Sequence, residues 1–457
     1  MQQTASLSAR PIRDLTTGST RRLVLTLAAP STLETLMHSV VSLLNAYWMG
    51  RVGGMALAAV AMGTTLRMVL ISPMMGLSMG GMATVARHVG ARDQRSADHA
   101  VMQVVLLICF FVSLVAALGL ALGGVFLQWM GAQGEVYSNA LGYTRIIFAG
   151  LIFMEMLPSL SGVIRGAGHP EYTLRINAVN AVATVALMPV LALGLGPIPE
   201  MGVRGAALAT VLASAAGVVA QFYTLMTGKA GVRLHWRDAK PDWGVMWRIL
   251  RIALPSAAQR FSPNLGNAVL MRLVSALGDE VLAAHALVSQ LLSFLQAPGM
   301  ALGNAAATMT GQNLGARRPD RAESATRFAV HLASGCSLAL ILALSLASRP
   351  ALRFFNDQEA IIAIAVTAIW CNVPSLVGQS WFSVIGGALG GAGDTVSPML
   401  VSVGVLWLAQ LPAASFLSNR LGLGPLGIWL GMAFGHLVGA AAVELFYRRG
   451  RWMKVRI

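Results

Sequence analysis

Twelve long apolar runs, joined by short polar connections, occupy almost the whole chain. They fall at about 23–48, 57–86, 98–122, 136–160, 171–193, 203–226, 244–271, 281–307, 325–347, 358–385, 396–417 and 424–447. A bilayer core takes roughly 20 apolar residues per helix. Lipid offers nothing to an open backbone N–H or C=O, so each run must be a helix that satisfies itself. A membrane β-barrel would show ten-residue alternation instead of continuous runs. Composition agrees: only 11% of the 457 residues are charged, against about 25% in a soluble domain. The expected fold is an all-α polytopic membrane protein with 12 transmembrane helices.

The net charge of +15 would suggest nucleic acid in a soluble protein. Here the charges sit in short runs between apolar segments, which fits membrane orientation and excludes nucleic acid as a partner. Of the 33 Lys and Arg, 24 lie in the N-terminal tail, the connections after every second run and the C-terminal tail. Seven lie on the opposite side, and Arg67 and Arg260 fall within spans. The positive-inside rule then puts both termini in the cytoplasm of a bacterial inner (plasma) membrane protein. Residues 1–22 are polar and the run after them is long, which predicts a retained helix instead of a cleaved signal. Cys109, Cys336 and Cys371 lie inside apolar runs. Their number and spacing give no disulfide framework and no zinc motif. His285, His331 and His436 show no metal spacing either.

An internal repeat organises the chain further. Pro30-Ser31 returns as Pro255-Ser256, Gly53 as Gly278, Pro73 as Pro298, and Gly90-Ala91-Arg92 as Gly315-Ala316-Arg317. Gly166-Ala167-Gly168 returns as Gly391-Ala392-Gly393, and Gly202 as Gly427. Every pair is 225 residues apart. Each repeat holds six spans, an even number, so both enter the membrane the same way. The expected organisation is a cytoplasmic tail (1–22), a six-helix bundle (23–226), a cytoplasmic linker (227–243), a second six-helix bundle (244–447) and a basic tail (448–457). The two bundles are expected to be related by a pseudo-two-fold axis along the membrane normal, with a substrate path between them.

Several stretches resemble the multidrug and toxic compound extrusion (MATE) family. APSTLETLMHSVVSLLNAYWMGRVGGMALAAVA resembles its first helix and the start of the second. VARHVGARD and MTGQNLGAR are similar to its loops after spans 2 and 8, VIRGAGHP to an Arg-Gly-x-Gly turn, and MGVRGAALAT to the start of span 6. The resemblance covers nearly the whole chain. It implies a secondary antiporter exporting amphipathic or cationic compounds in exchange for H+ or Na+ by alternating access, with no cofactor. Four positions depart from carboxylates found in many members: Asn45, Met188, Pro263 and Gln379.

Charges inside a bilayer are costly and point to function. Glu34, four residues after Pro30 and midway along span 1, is the leading ion-coupling candidate. At about 100° per residue, His38 and Asn45 share its helix stripe. Pro30 predicts a kink with a freed carbonyl nearby. The competing reading is a permanent structural pair with a basic residue, and Arg260 in span 7 is one such partner. Glu155 is a second acidic candidate. Asn177, Asn180, Gln259, Asn264, Asn267, Gln290, Asn372 and Gln379, with Arg260, are candidates to bind substrate. Each amide has an alternative role as an interhelical hydrogen bond, worth about 0.6 kcal/mol. The 24 Met residues suit adaptable apolar walls. No GxxxxGK[ST] loop is present, so ATP is not the expected energy source. Two other classes remain: a flippase of lipid-linked precursors, which needs a large basic cavity, and an intramembrane enzyme, for which paired catalytic groups are missing. The expected partners are small molecules and lipid, the expected working form is a monomer, and the chain is expected not to be an enzyme.

Overall fold

The computed structural model describes residues 14–74, 76–195, 199–355 and 357–455. Most of the expected N-terminal tail, with Arg10 and Arg13, and the last two residues of the basic tail lie outside them. The described chain is all-α. The first repeat holds α1 (Thr20–Val52), α2 (Gly54–Ile71), α3 (Leu77–Gly90), α4 (Gln94–Trp129), α5 (Gly134–Ala149), α6 (Leu151–Gly166), α7 (Pro170–Ala192) and α8 (Gly202–Met226). The second holds α9 (Trp243–Ser275), α10 (Asp279–Leu295), α11 (Ala297–Gly315), α12 (Pro319–Leu346), the short α13 (Ser348–Arg353), α14 (Glu359–Cys371), α15 (Val373–Ala392), α16 (Val396–Arg420, with two π-helical stretches) and α17 (Pro425–Arg448).

Among the described residues, seven helices are long and apolar enough to cross a membrane, and three bent pairs raise this to ten. The bends are 52° between α5 and α6, 40° between α10 and α11, and 47° between α14 and α15. The remaining two spans are α1 and α9. At 33 residues each they are about 50 Å long. They are also the most polar, because α1 carries Glu34 and His38 and α9 carries Arg260 and two prolines. The 12 helices expected from the apolar runs are thereby accounted for.

The repeat returns as backbone geometry. Arg92 and Arg317, φ 57° and 59°, are the only non-glycine residues with positive φ among the described ones. Each closes a helix in the same way: the amide of the next residue donates to the carbonyl five residues back, Asp93 to His88 and Arg318 to Asn313. Gly168 and Gly393 match at φ 92° and 91°. Helix contacts repeat too. A Cβ on Gly162 or Gly166 would meet the α3 backbone at Ser78 and Met82; one on Gly387 or Gly391 would meet the α11 backbone at Gly303 and Ala307. All four partner pairs are 225 residues apart. Small residues permit this close approach between helices.

By contacts the chain divides into one unit of Met1–Asp14 and Leu33–Leu254 and another of Leu15–Thr32 and Pro255–Ile457. The boundaries drawn from sequence, at 22/23 and 243/244, therefore fall elsewhere in the structure. Residues 15–32 count with the second unit because Leu15, Val24, Leu27 and Ala28 are buried in its core. Arg318 Nη1 also donates to the Thr16 carbonyl at 2.8 Å, and Arg321 to that of Gly18 at 2.9 Å. The linker at 227–243 belongs to the first unit. Gln103 on α4 donates to the Lys240 carbonyl and accepts from the Asp242 amide, while Asp98 accepts from the Arg233 amide at 2.7 Å.

Candidate functional site

Glu34 is held in the first unit by three side chains from two helices, α6 and α7. Its Oε1 accepts from Arg165 Nη1 at 3.3 Å and from Asn177 Nδ2 at 2.5 Å. The Thr173 hydroxyl stands 3.4 Å from Oε2 and 2.8 Å from the Pro170 carbonyl, so its single proton serves one acceptor at a time. Arg165 is one residue from the end of α6 at Gly166, and its long side chain reaches back to Glu34. Thr173 and Asn177 are one turn apart on α7 and share a face. Behind them Ser161 receives Gln221 Nε2 at 2.8 Å, and the same amide donates to the Leu157 carbonyl at 2.9 Å. Asn177, Ser161 and Gln221 are all buried. The result is a polar thread from α1 through α7 and α6 to α8.

A cavity of about 30 Å³ opens beside this carboxylate, lined by Glu34, Met37, His38, Val41, Asn177, Asn180, Ala181 and Thr184. About 10–15 Å³ suffices for one water, whereas drug-sized ligands occupy roughly 300–1,000 Å³. The space therefore suits water beside a carboxylate, not an amphipathic drug. His38 joins Glu34 here as the helix stripe predicts. Asn45 does not line the cavity; it lies three turns further along α1, and its Oδ1 is buried without a hydrogen-bond partner among the described residues. Asn180 Oδ1 is likewise without a partner among them, although Asn180 lines the cavity.

The other candidates have surroundings of their own. Glu155 pairs with Arg67 Nη1 at 3.0 Å, with both side chains mostly buried. In the second unit Asn372 donates to the Ala368 carbonyl at 2.8 Å, at the bend between α14 and α15, so its amide serves the backbone there. Gln259 is half-buried and close to Gly386. Arg260, Asn264, Asn267 and Gln290 are exposed, and Gln379 is half-buried. A carboxylate that the sequence reading passed over is Glu444. It accepts from Arg327 and Arg448, both at 2.6 Å, and from Trp381 Nε1 at 3.3 Å. Arg165, Thr173, Ser161 and Gln221 were also not among the expected site residues. The bonds of Arg165 and Thr173 to Glu34 cross 131 and 139 residues of sequence, and no local spacing announces them.

An all-helical, duplicated bundle with carboxylates held inside its apolar spans defines a multi-pass membrane protein of transporter type. The family pattern described as MatE matches the chain twice, at residues 30–190 and 255–415, and the chain belongs to that family. The two matches are themselves 225 residues apart. The probable multidrug resistance protein NorM of Thermotoga maritima is 24% identical over 440 residues, covering 95% of this chain and 93% of the relative. The probable multidrug resistance protein YoeA of Bacillus subtilis is 26% identical, covering 92% and 91%. Among solved structures, a MATE protein in its straight conformation is similar at TM-score 0.91 and 22% identity, covering 98% of this chain and all of the other. The bent conformation gives 0.90 and 23%. At this identity the structures bear on the fold, which they share.

Proposed function

We propose that the protein is a secondary antiporter of the bacterial inner membrane that exports amphipathic or cationic compounds in exchange for H+ or Na+, by alternating access, with both termini in the cytoplasm. It works as a monomer, with no cofactor and no catalytic chemistry of its own. The observation that carries this reading is the Glu34 carboxylate, mostly buried in the first unit beside a water-sized cavity, in a chain whose relatives are named multidrug resistance proteins. A buried carboxylate has two states of very different cost: the anion needs its donors, whereas the neutral acid does not. Occupation of Glu34 by an ion changes what Arg165, Thr173 and Asn177 hold, and therefore how α1 sits against α6 and α7.

The test is ethidium movement in everted vesicles under an imposed pH gradient and, separately, a sodium gradient. Wild type is expected to respond to at least one gradient and Glu34→Gln to neither. Equal transport by both proteins would overturn Glu34 as the coupling site. A wild type that moves no cationic dye under either gradient would overturn the export reading itself.

A further inference from the structure

The first repeat's buried charge pair has no counterpart in the second, and this bears on what the pair is for. Displacing each residue by 225 pairs Glu34 with Gln259, Arg165 with Gly390, Ser161 with Gly386, Asn177 with Ser402 and Gln221 with Phe446. The backbone around these positions is duplicated: the Gly162 and Gly166 contacts on α3 match those of Gly387 and Gly391 on α11, and Gly168 matches Gly393 in φ. Gln259 even approaches Gly386, the position that corresponds to Ser161. One copy of the fold thus packs with a neutral amide and no guanidinium. The six-helix frame does not need the ion pair.

The geometry points to Arg165 as a tethered counter-cation that makes Glu34 a proton site and excludes sodium from it. This rests on the reading of Glu34 as the coupling carboxylate. Three groups donate to the carboxylate: the Arg165 guanidinium from α6, and the Thr173 hydroxyl and Asn177 amide from α7. A hard cation needs several oxygen lone pairs around it; Asn180 Oδ1 on the cavity wall offers one, but a guanidinium already within 3.3 Å of Glu34 Oε1 repels a second cation there. A proton needs one lone pair only. The step balances simply. A proton from water at one face forms an O–H bond on Glu34, which neutralises the carboxylate and weakens its hold on Arg165. The guanidinium keeps its own proton throughout, and re-forms the pair when Glu34 returns its proton to water at the other face. Within the first unit, the charged or titratable groups that bond to Glu34 or line its cavity are Arg165 on α6 and His38 on its own helix; α7 contributes the neutral Thr173, Asn177, Asn180 and Thr184 there. Arg165 acts through Glu34 and is a positioning residue.

The experiment is ethidium transport in proteoliposomes as a function of pH, with and without a sodium gradient, in wild type, Glu34→Gln, Arg165→Lys, Arg165→Gln and the double variant Glu34→Gln with Arg165→Gly. The double variant installs the residues that the second repeat already accommodates, and it is expected to fold and to be uncoupled. Wild type is expected to follow the pH gradient and ignore sodium. Removing the guanidinium removes a nearby charge that favours the carboxylate, so the pH dependence of transport by Arg165→Gln is expected to move upward from that of wild type. That variant is also expected to gain a sodium response, and Arg165→Lys to restore the wild-type pH dependence. A merely structural arginine would lower the rate without moving the pH dependence, and that result overturns the inference. A wild type driven by sodium at constant pH overturns it whether or not any variant folds. Glu34→Gln behaving as wild type takes down the coupling reading together with it, whereas an inactive Glu34→Gln with an unshifted Arg165→Gln removes the arginine's role alone.

Discussion

The two repeats close their helices with the same left-handed residue at Arg92 and Arg317 and bring helices together over the same glycines, yet the first pairs a carboxylate with a guanidinium beside a water-sized cavity where the second has Gln259 and Gly390. The second repeat keeps its buried acid elsewhere. Glu444 stands at the end of α17, between two guanidinium groups at 2.6 Å with Trp381 as a third donor. A carboxylate held by two short charge-assisted hydrogen bonds is a fixed tie. Glu34 has one guanidinium at 3.3 Å, a hydroxyl shared with a carbonyl, and a cavity that admits water. Duplicated frame and unduplicated charge together separate what the fold requires from what transport requires.

The comparison can be broken first at its strongest point. Glu34→Gln is expected to lower gradient-driven export by about 100-fold or more, the scale lost with a positioned proton-transfer group, while Gln259→Ala retains the coupling; vesicle flux measures both. Next in size is the other charge pair of the first repeat. Arg67→Gln leaves Glu155 buried without the guanidinium at 3.0 Å, which is expected to cost about 3–5 kcal/mol. A thermal melt in detergent reads this as a large fall in midpoint, and an unchanged melt would show that the pair is dispensable. Glycine contacts sharpen the comparison because both repeats share them. Gly166→Leu and Gly391→Leu each drive a side chain into a facing backbone and are expected to destabilise by about 1–3 kcal/mol or more. If only one of the two lowers the melt, the frames are not equivalent.

The smallest effect concerns helix starts. In the first repeat Asp93 caps α4 by accepting from the Ser96 amide at 3.1 Å. In the second, Arg318 stands there with no side-chain cap and Pro319 begins α12. Asp93→Ala is expected to cost about 1 kcal/mol. The Ser96 hydrogen bonds hold the Asp93 carboxyl below the usual aspartate range. A depressed acid contributes stability above its unfolded value, near pH 3.9, and loses it as pH falls through the folded value. Melts of wild type and Asp93→Ala are therefore expected to differ at neutral pH and to converge in strong acid.

Much of the fold is legible in the sequence because bilayer burial writes itself as long apolar runs, and because the offset of 225 marks equivalent turns. Glu34 and His38 were also legible, since an acid in mid-span is conspicuous and four residues place a neighbour on the same face. Arg165 was not. It lies in VIRGAGHP, which reads as a cytoplasmic turn, and only the helix packing shows its side chain directed back to Glu34. Thr173, Ser161 and Gln221 were hidden for the same reason: their partners lie far away in sequence. The membership of residues 15–32 was hidden too, because the run that starts α1 gives no sign of which core buries Leu27 and Ala28.

The central claim is that the coupling ion is taken up at carboxylate 34 of the first repeat and nowhere in the second. Calorimetry of ethidium binding to purified protein, in buffers of different ionisation enthalpy, counts the protons released per ligand bound. The account predicts about one proton for wild type at the pH where its transport is fastest, about one for Gln259→Ala and none for Glu34→Gln. Proton release that persists in Glu34→Gln would contradict it.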